Sequence, residues 1–242
     1  MNLQEYHERR QLLLSQEKTY RELCTTCLQP SFGCYCSHVQ QFDPAISFVI
    51  LIHPIEVKRR IATGRMSHLC LKNSHLIMGQ DYSGSVQVQN LIDDPQFHSV
   101  ILYPGVKSQN LTEMSSAQRD ALVPVGKKLR IFVVDGTWAT AKKMVRQSKN
   151  LVSLPRICFS PSSPSNFRVR KQPQAHCYST IEAIHHTIEL VGHSQGFATA
   201  SREHDKLLYV FDKMVERQLD FIRKAEEKPD HLRYRRDRKR SA

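Results

Sequence analysis

The sequence predicts an α/β fold with a mainly parallel sheet, preceded by an N-terminal four-cysteine zinc knuckle. Three observations lead there. Short apolar runs that stop at turns alternate with amphipathic stretches, the order expected of parallel strands joined by helices. The 242-residue chain is long enough to bury one substantial core. Four of its seven cysteines crowd into "CTTCLQPSFGCYC", with the spacing C-x2-C-x6-C-x-C.

Residues 1 to about 23 mix apolar and charged side chains and suit a helix leading into the knuckle, which ends near Ser37. "ISFVILIH" (46–53) has the composition of a buried strand. "VKRRIATGRMSHLCLK" (57–72) suits a helix broken around Gly64, and "SHLIMG" (74–79) a second strand. "HSVILYPG" (98–105) is a third strand closed by Pro-Gly. A short helix in "EMSSAQRDALVPVG" then precedes the fourth strand, "LRIFVVDG". "TWATAKKMVRQSK" forms a helix with Ala139, Met144 and Val145 on its inner face and Lys142, Lys143 and Arg146 on its outer face. "NLVSLPRICF" (150–159) supplies a fifth strand, and "SPSSPSNFRVRKQP" a turn-rich loop. "STIEAIHHTIELVG" opens a helix at the spacing of a capping box, Ser179 to Glu182, and a last long helix covers about 203 to 226. The expected organisation is a helix and knuckle over 1–40, the main α/β domain over 41–228 and a basic tail over 229–242.

In a reducing compartment, Cys24, Cys27, Cys34 and Cys36 suit one tetrahedral Zn2+ better than two disulfides, because two cysteine pairs on tight turns can converge on one ion. Four thiolates leave no open position, so the expected role is structural. The first residues lack the basic, apolar and small-residue order of a signal peptide, and no stretch reaches the roughly 20 apolar residues of a membrane helix. A cytoplasmic protein with no membrane partner is expected.

Lys and Arg number 35 against 23 acids, a formal charge of +12. Such an excess favours a polyanionic partner, nucleic acid first. The run "HLRYRRDRKRSA" raises the total as a solvated tail, yet removing it still leaves a positive excess. In parallel sheets ligands bind beyond the carboxyl ends of strands, so the loops "HPIEVKR", "YPGVKS", "DGTW" and "LPRICFSPSSPSNFRVRKQP" are the candidate site. No G-x-G-x-x-G and no G-x4-G-K-[ST] occurs, which excludes those dinucleotide and phosphate motifs.

"VVDGTWATAKKM", behind a cysteine knuckle and in order with "HPIEVKRRIATGR", "LYPG", "LPR", "FRVRKQP" and "STIEA", resembles the DTW-domain family of tRNA-uridine aminocarboxypropyltransferases. The resemblance covers roughly residues 20 to 200. It implies transfer of the 3-amino-3-carboxypropyl group of S-adenosylmethionine to N3 of a uridine in tRNA, in the variable-loop region, with methylthioadenosine released. It also implies a SPOUT-like sheet with a C-terminal trefoil knot lining the cofactor pocket, a feature that strand and helix patterns do not predict.

The resemblance assigns the donor to the backbone of Leu102, Tyr103, Pro104 and Gly105, to Leu154, Pro155 and Arg156, and to Ser179, Thr180 and Glu182. The helix starting near Thr180 is either an anion site or a plain capped start. Asp135 is the expected catalytic or orienting carboxylate for the N3 proton, and its competing role is capping the next helix. Thr137 is placed to bond Asp135 or the cofactor. Trp138 is either a core anchor or a platform for a base. Lys142, Lys143, Arg146, Arg168, Arg170 and Lys171 form either an RNA-binding face or a solvated surface, and one of the two last arginines could pair with the donor's carboxylate. Glu56 and Arg65 are possible pocket residues, whereas His53, His185 and His186 suit ordinary structural positions. Because N3 is paired in a duplex, the target uridine must be unpaired or flipped out. Two rivals remain: an RNA methyltransferase of the same fold, and a zinc-containing RNA-binding protein without catalysis.

Overall fold

A computed structural model describes residues 4–8, 22–57, 59, 61–169 and 177–227. Residues 4–8 are helical, and the rest of the helix expected before residue 23 lies outside the described residues, as does the tail over 229–242. The chain divides into two compact units, Met1–Cys34 and Tyr35–Ala242. In the first, the Cys24 amide donates to the Gln29 carbonyl, and Leu28 takes a left-handed backbone (φ 58°) to make the turn.

The second unit holds a six-stranded sheet. Its strands are β1 (Ser47–Ile52), β2 (Ser74–Met78), β3 (Phe97–Leu102), β4 (Gln109–Asn110), β5 (Lys128–Asp135) and β6 (Arg156–Cys158), in the order β2-β1-β5-β3-β6-β4. Every pairing is parallel, so the expectation of a mainly parallel sheet holds. Its helices are α1 (Pro54–Val57), α2 (Thr63–Cys70), α3 (Val86–Asp93), α4 (Ser116–Asp120), α5 (Trp138–Gln147), α6 (Lys149–Val152), α7 (Thr180–Val191) and α8 (Asp205–Glu226).

Strand β1 is buried at all six positions because helices cover both faces, which is why its sequence is a continuous apolar run rather than an alternation. On one face Val49, Leu51, Ile101 and Phe132 pack with Val88 of α3, Met144 and Val145 of α5 and Leu151 of α6. The intervening residues, such as Phe48, Ile50 and Ile131, point to the opposite face. Helices α2, α7 and α8 pack against one another, with α2 against β1 and α7 against β5.

Four local expectations need correction. The break near Gly64 falls earlier, since Gly64 is the second residue of α2. The fifth expected strand shrinks to Arg156–Cys158, because 149–152 form a turn of helix and Pro155 has no amide for a ladder at the strand's start. Ala141, not Ala139, joins Met144 and Val145 on the buried face of α5. Helix α3 and the two-residue β4 have no expected counterpart: "VQVQ" alternates like a strand, but Ser85 caps a helix there by accepting the Val88 amide.

Candidate active site

The carboxyl ends of β3, β5 and β6 open into a cavity of about 460 Å³, within the range of small-molecule sites. Leu102, Tyr103 and Pro104 line it from β3, Val133 to Trp138 from β5 and the following turn, and Cys158 and Phe159 from β6. Cys177 to Thr180, at the start of α7, close another side. The lining is mostly apolar, with Asp135 as the one carboxylate among its described residues.

Asp135 ends β5 opposite Ile52, and its carbonyl accepts the His53 amide at 2.9 Å. Its carboxylate is only 4% exposed. The Thr180 hydroxyl donates to Oδ1 at 2.6 Å and the Gly64 amide to Oδ2 at 3.3 Å. Those donors stand at the starts of α7 and α2, so the acid sits where two helices present their positive ends. Gly64 is required there: a Cβ on it would lie 2.5 Å from Asp135 Oδ2. Asp135 therefore does not cap the helix that follows it. Thr137 does, its hydroxyl accepting the Thr140 amide at 3.2 Å. Gly136 between them lets Thr140 approach, since a Cβ would meet Thr140 Oγ1 at 2.6 Å.

Trp138, the only tryptophan, is 46% exposed on the cavity wall. A core anchor is thereby ruled out. Phe159 and Tyr178 bring two more rings, with centroids 5.7 Å apart, and His186 packs edge-on against Phe159 at 4.7 Å. Burial, opposed by Arg156, raises the pKa of Tyr103 above the ordinary phenol range, and burial together with the Glu113 charge raises that of Cys158. Both groups therefore stay protonated at neutral pH.

Residues 21–219 match the DTW domain. The chain belongs to the DTW-domain family. A Drosophila melanogaster protein named tRNA-uridine aminocarboxypropyltransferase 2 is 30% identical over 170 residues, covering 67% of this chain and 63% of that protein. Proteins of the same name from Mus musculus and Macaca fascicularis are 28% identical over 167 residues and 26% over 166, each covering 67% of this chain and 54% of theirs. The chain thus spans less than two thirds of the length of these curated relatives. No solved structure matches it.

In this DTW-domain protein the motif contributes Asp135, Thr137 and Trp138 to one cavity wall. Of the residues expected around the donor, Leu102, Tyr103, Pro104, Ser179 and Thr180 line the cavity. Gly105, Leu154, Pro155, Arg156 and Glu182 are not part of the lining. Arg156 lies 5.8 Å from the Tyr103 ring centroid, and Leu154 is buried in the core. Glu182 acts as a strut, accepting the Ser179 amide at 2.8 Å, the Ser165 hydroxyl at 2.8 Å and the Asn166 amide at 2.7 Å. It fixes the cavity's loop to α7. Glu56 and Arg65 do not line the cavity either; Glu56 pairs with Arg59 at 3.4 Å. Phe159, inside a loop marked from sequence, lines it too, and Tyr178 and Thr63 do so from outside the marked loops; the aromatic pair flanking "FRVRKQP" was the available sign.

Lys142, Lys143 and Arg146 are exposed along α5, and Arg168 is exposed in the loop after β6. Arg170 and Lys171 lie outside the described residues. The sulfurs of Cys24, Cys27, Cys34 and Cys36 lie within 4.8 Å of one another, with Cys27 and Cys34 3.6 Å apart. That is far beyond a disulfide bond of about 2.05 Å. It is close to the ~3.8 Å edge of a tetrahedron with Zn–S bonds of about 2.3 Å, so the donor set fits a closed structural zinc site. No described helix is long and apolar enough to cross a membrane.

Proposed function

We propose that this chain transfers the 3-amino-3-carboxypropyl group of S-adenosylmethionine to N3 of a tRNA uridine, in the variable-loop region. The observation that carries the reading is the buried, doubly held Asp135 carboxylate facing an otherwise apolar cavity at the sheet's carboxyl edge. The names of the relatives support the substrate and the transferred group.

The donor is a sulfonium with three electrophilic carbons, so the pocket selects the reaction by which carbon it presents. Here the methionine Cγ faces the uracil. N3 attacks Cγ, the Cγ–S bond breaks, its electron pair stays on sulfur, and methylthioadenosine leaves. The N3 proton passes to Asp135, directly or through water. Thr180 and Gly64 hold the carboxylate in line for that transfer, and proximity is the main source of rate. Leu102, Tyr103 and Pro104 and the start of α7 hold the donor, while Trp138 presents its ring to a base. Lys142, Lys143, Arg146 and Arg168, with Arg170 and Lys171, contact tRNA phosphates.

The SPOUT-like reading, with a C-terminal trefoil knot, draws support from the all-parallel sheet and from a cavity bounded by strand ends and the start of α7, and the proposed divisions fall at residues 40 and 228. Cys24, Cys27, Cys34 and Cys36 hold structural Zn2+, and the protein works in the cytoplasm. The reading is tested by incubating the chain with unmodified tRNA and S-adenosylmethionine and digesting the tRNA to nucleosides for mass analysis. A uridine heavier by one aminocarboxypropyl group is expected. A methylated nucleoside would replace the reading with a methyltransferase, and unchanged uridine with a binding protein.

A further inference from the structure

Away from the cavity, α7 and the start of α8 bring together two histidines and two carboxylates. His185 and Glu189 lie one turn apart on α7. His204 and Asp205 come from the start of α8. His185 Nε2 is 2.8 Å from Asp205 Oδ1, and His204 Nε2 is 4.0 Å from the same oxygen. Glu189 Oε2 contacts His204 Nε2. The two imidazoles stack with centroids 4.7 Å apart. A ligand atom from each of His185, His204 and Asp205 lies within 4.8 Å of the other two.

Three of these side chains bring their ligating atoms together, and we infer that His185, His204 and Asp205 form a second metal site, for a borderline divalent cation such as Zn2+, clamping α8 to α7. Two imidazole nitrogens and one carboxylate oxygen supply three positions of a tetrahedral set, with metal–ligand distances of about 2.0–2.2 Å, and leave the fourth to water. Ligand atoms in such a set stand roughly 3.3–3.6 Å apart, between the Asp205 separations of 2.8 and 4.0 Å from the two imidazoles. The site is distinct from the four-cysteine cluster in its donors and place.

The surroundings fit. Arg202 holds Asp205 by both oxygens, its Nε 3.0 Å from Oδ2 and its Nη2 2.8 Å from Oδ1, the oxygen that also meets His185, while its Nη1 lies 2.7 Å from Glu189 Oε2. Hydrogen bonds to ligating carboxylates orient them for the ion. Arg202 reaches that position with a left-handed backbone, φ 56°, which a residue with a side chain adopts at a cost. His204 is fully buried, and Phe197 packs edge-on to its ring at 5.7 Å, so water is kept from one side.

The experiment loads the full chain with zinc, removes weakly held ion by gel filtration, and counts metal per chain by mass spectrometry. The chain should retain one equivalent more than an Asp205→Asn variant, whose changed residue is partly exposed and whose fold is checked by circular dichroism. Equal retention in the two proteins would overturn the site. A second measurement needs no variant: in the cobalt-loaded chain, proton NMR should show hyperfine-shifted, exchangeable imidazole N–H signals. A four-thiolate site has no imidazole and gives none. Cobalt bound without such signals would leave the cluster as an ion-pair network and end the proposal.

Discussion

Replacing Gly64 by alanine puts the site's geometry to a direct trial. The added Cβ would stand 2.5 Å from Asp135 Oδ2 and 2.8 Å from Cγ, whereas ordinary contact begins at 3.4 Å. The carboxylate must therefore retreat by about 0.9 Å, the difference between 3.4 and 2.5 Å. It cannot do so while keeping both the Gly64 amide and the Thr180 hydroxyl. A displacement of about 1 Å at a reacting group costs on the order of 10²-fold in rate, about 2.7 kcal/mol. Stability should change much less, because alanine in a helix gains up to about 1 kcal/mol over glycine and offsets part of the strain. Single-turnover modification of tRNA, read by nucleoside mass, should thus fall about 10²-fold. The thermal midpoint should move by only a few degrees, at about 2–4 °C per kcal/mol for a chain of this size. Thr180→Val removes the other donor without a clash and should slow the reaction in the same direction, by roughly 10-fold or more for a lost charge-assisted hydrogen bond. Wild-type rates in both variants would refute the argument that these donors hold a working carboxylate.

Trp138→Ala should leave the thermal midpoint nearly unchanged, since the ring is 46% exposed, yet reduce kcat/KM about 10-fold or more through lost stacking; steady-state kinetics with tRNA and donor separate the two effects. Neutralising Lys142, Lys143 and Arg146 should weaken tRNA binding at low salt and flatten the dependence of log Kd on log salt by about one unit per lost phosphate contact. An unchanged slope in a filter-binding titration would make this face a solvated surface. Burial, the largest cause in each case, lowers the pKa values of His68, His75 and His98 from 6.5. The unfolded chain then binds protons before the folded one does, so stability should decline as pH drops below about 7 and level off beneath the folded values. Thermal melts across that range check the sign.

The fold was largely legible because its strands are continuous apolar runs, as "SFVILI" and "IFVVD" show, and each stops at a turn. What escaped were elements whose sequence carries a competing period or too few residues, such as "VQVQNLID" and the turn of helix before Pro155. At the site, sequence placed Asp135 and Trp138 at a strand's carboxyl end, where the cavity is. It did not show that Thr137 is occupied as a helix cap, or that Thr180, 45 residues after Asp135, supplies the hydroxyl that Asp135 receives. Such a pairing depends on how two helix starts converge on one strand end, which no local spacing encodes. Glu182 illustrates the same point, since a capping-box glutamate also holds the Ser165–Asn166 loop.

The central claim concerns which carbon of S-adenosylmethionine the cavity presents, and the small-molecule product reports that carbon. Chromatography of a reaction containing the chain, unmodified tRNA and donor should show methylthioadenosine appearing in equal amount to the modified uridine, and neither without tRNA. S-adenosylhomocysteine formed in step with a methylated nucleoside would contradict it.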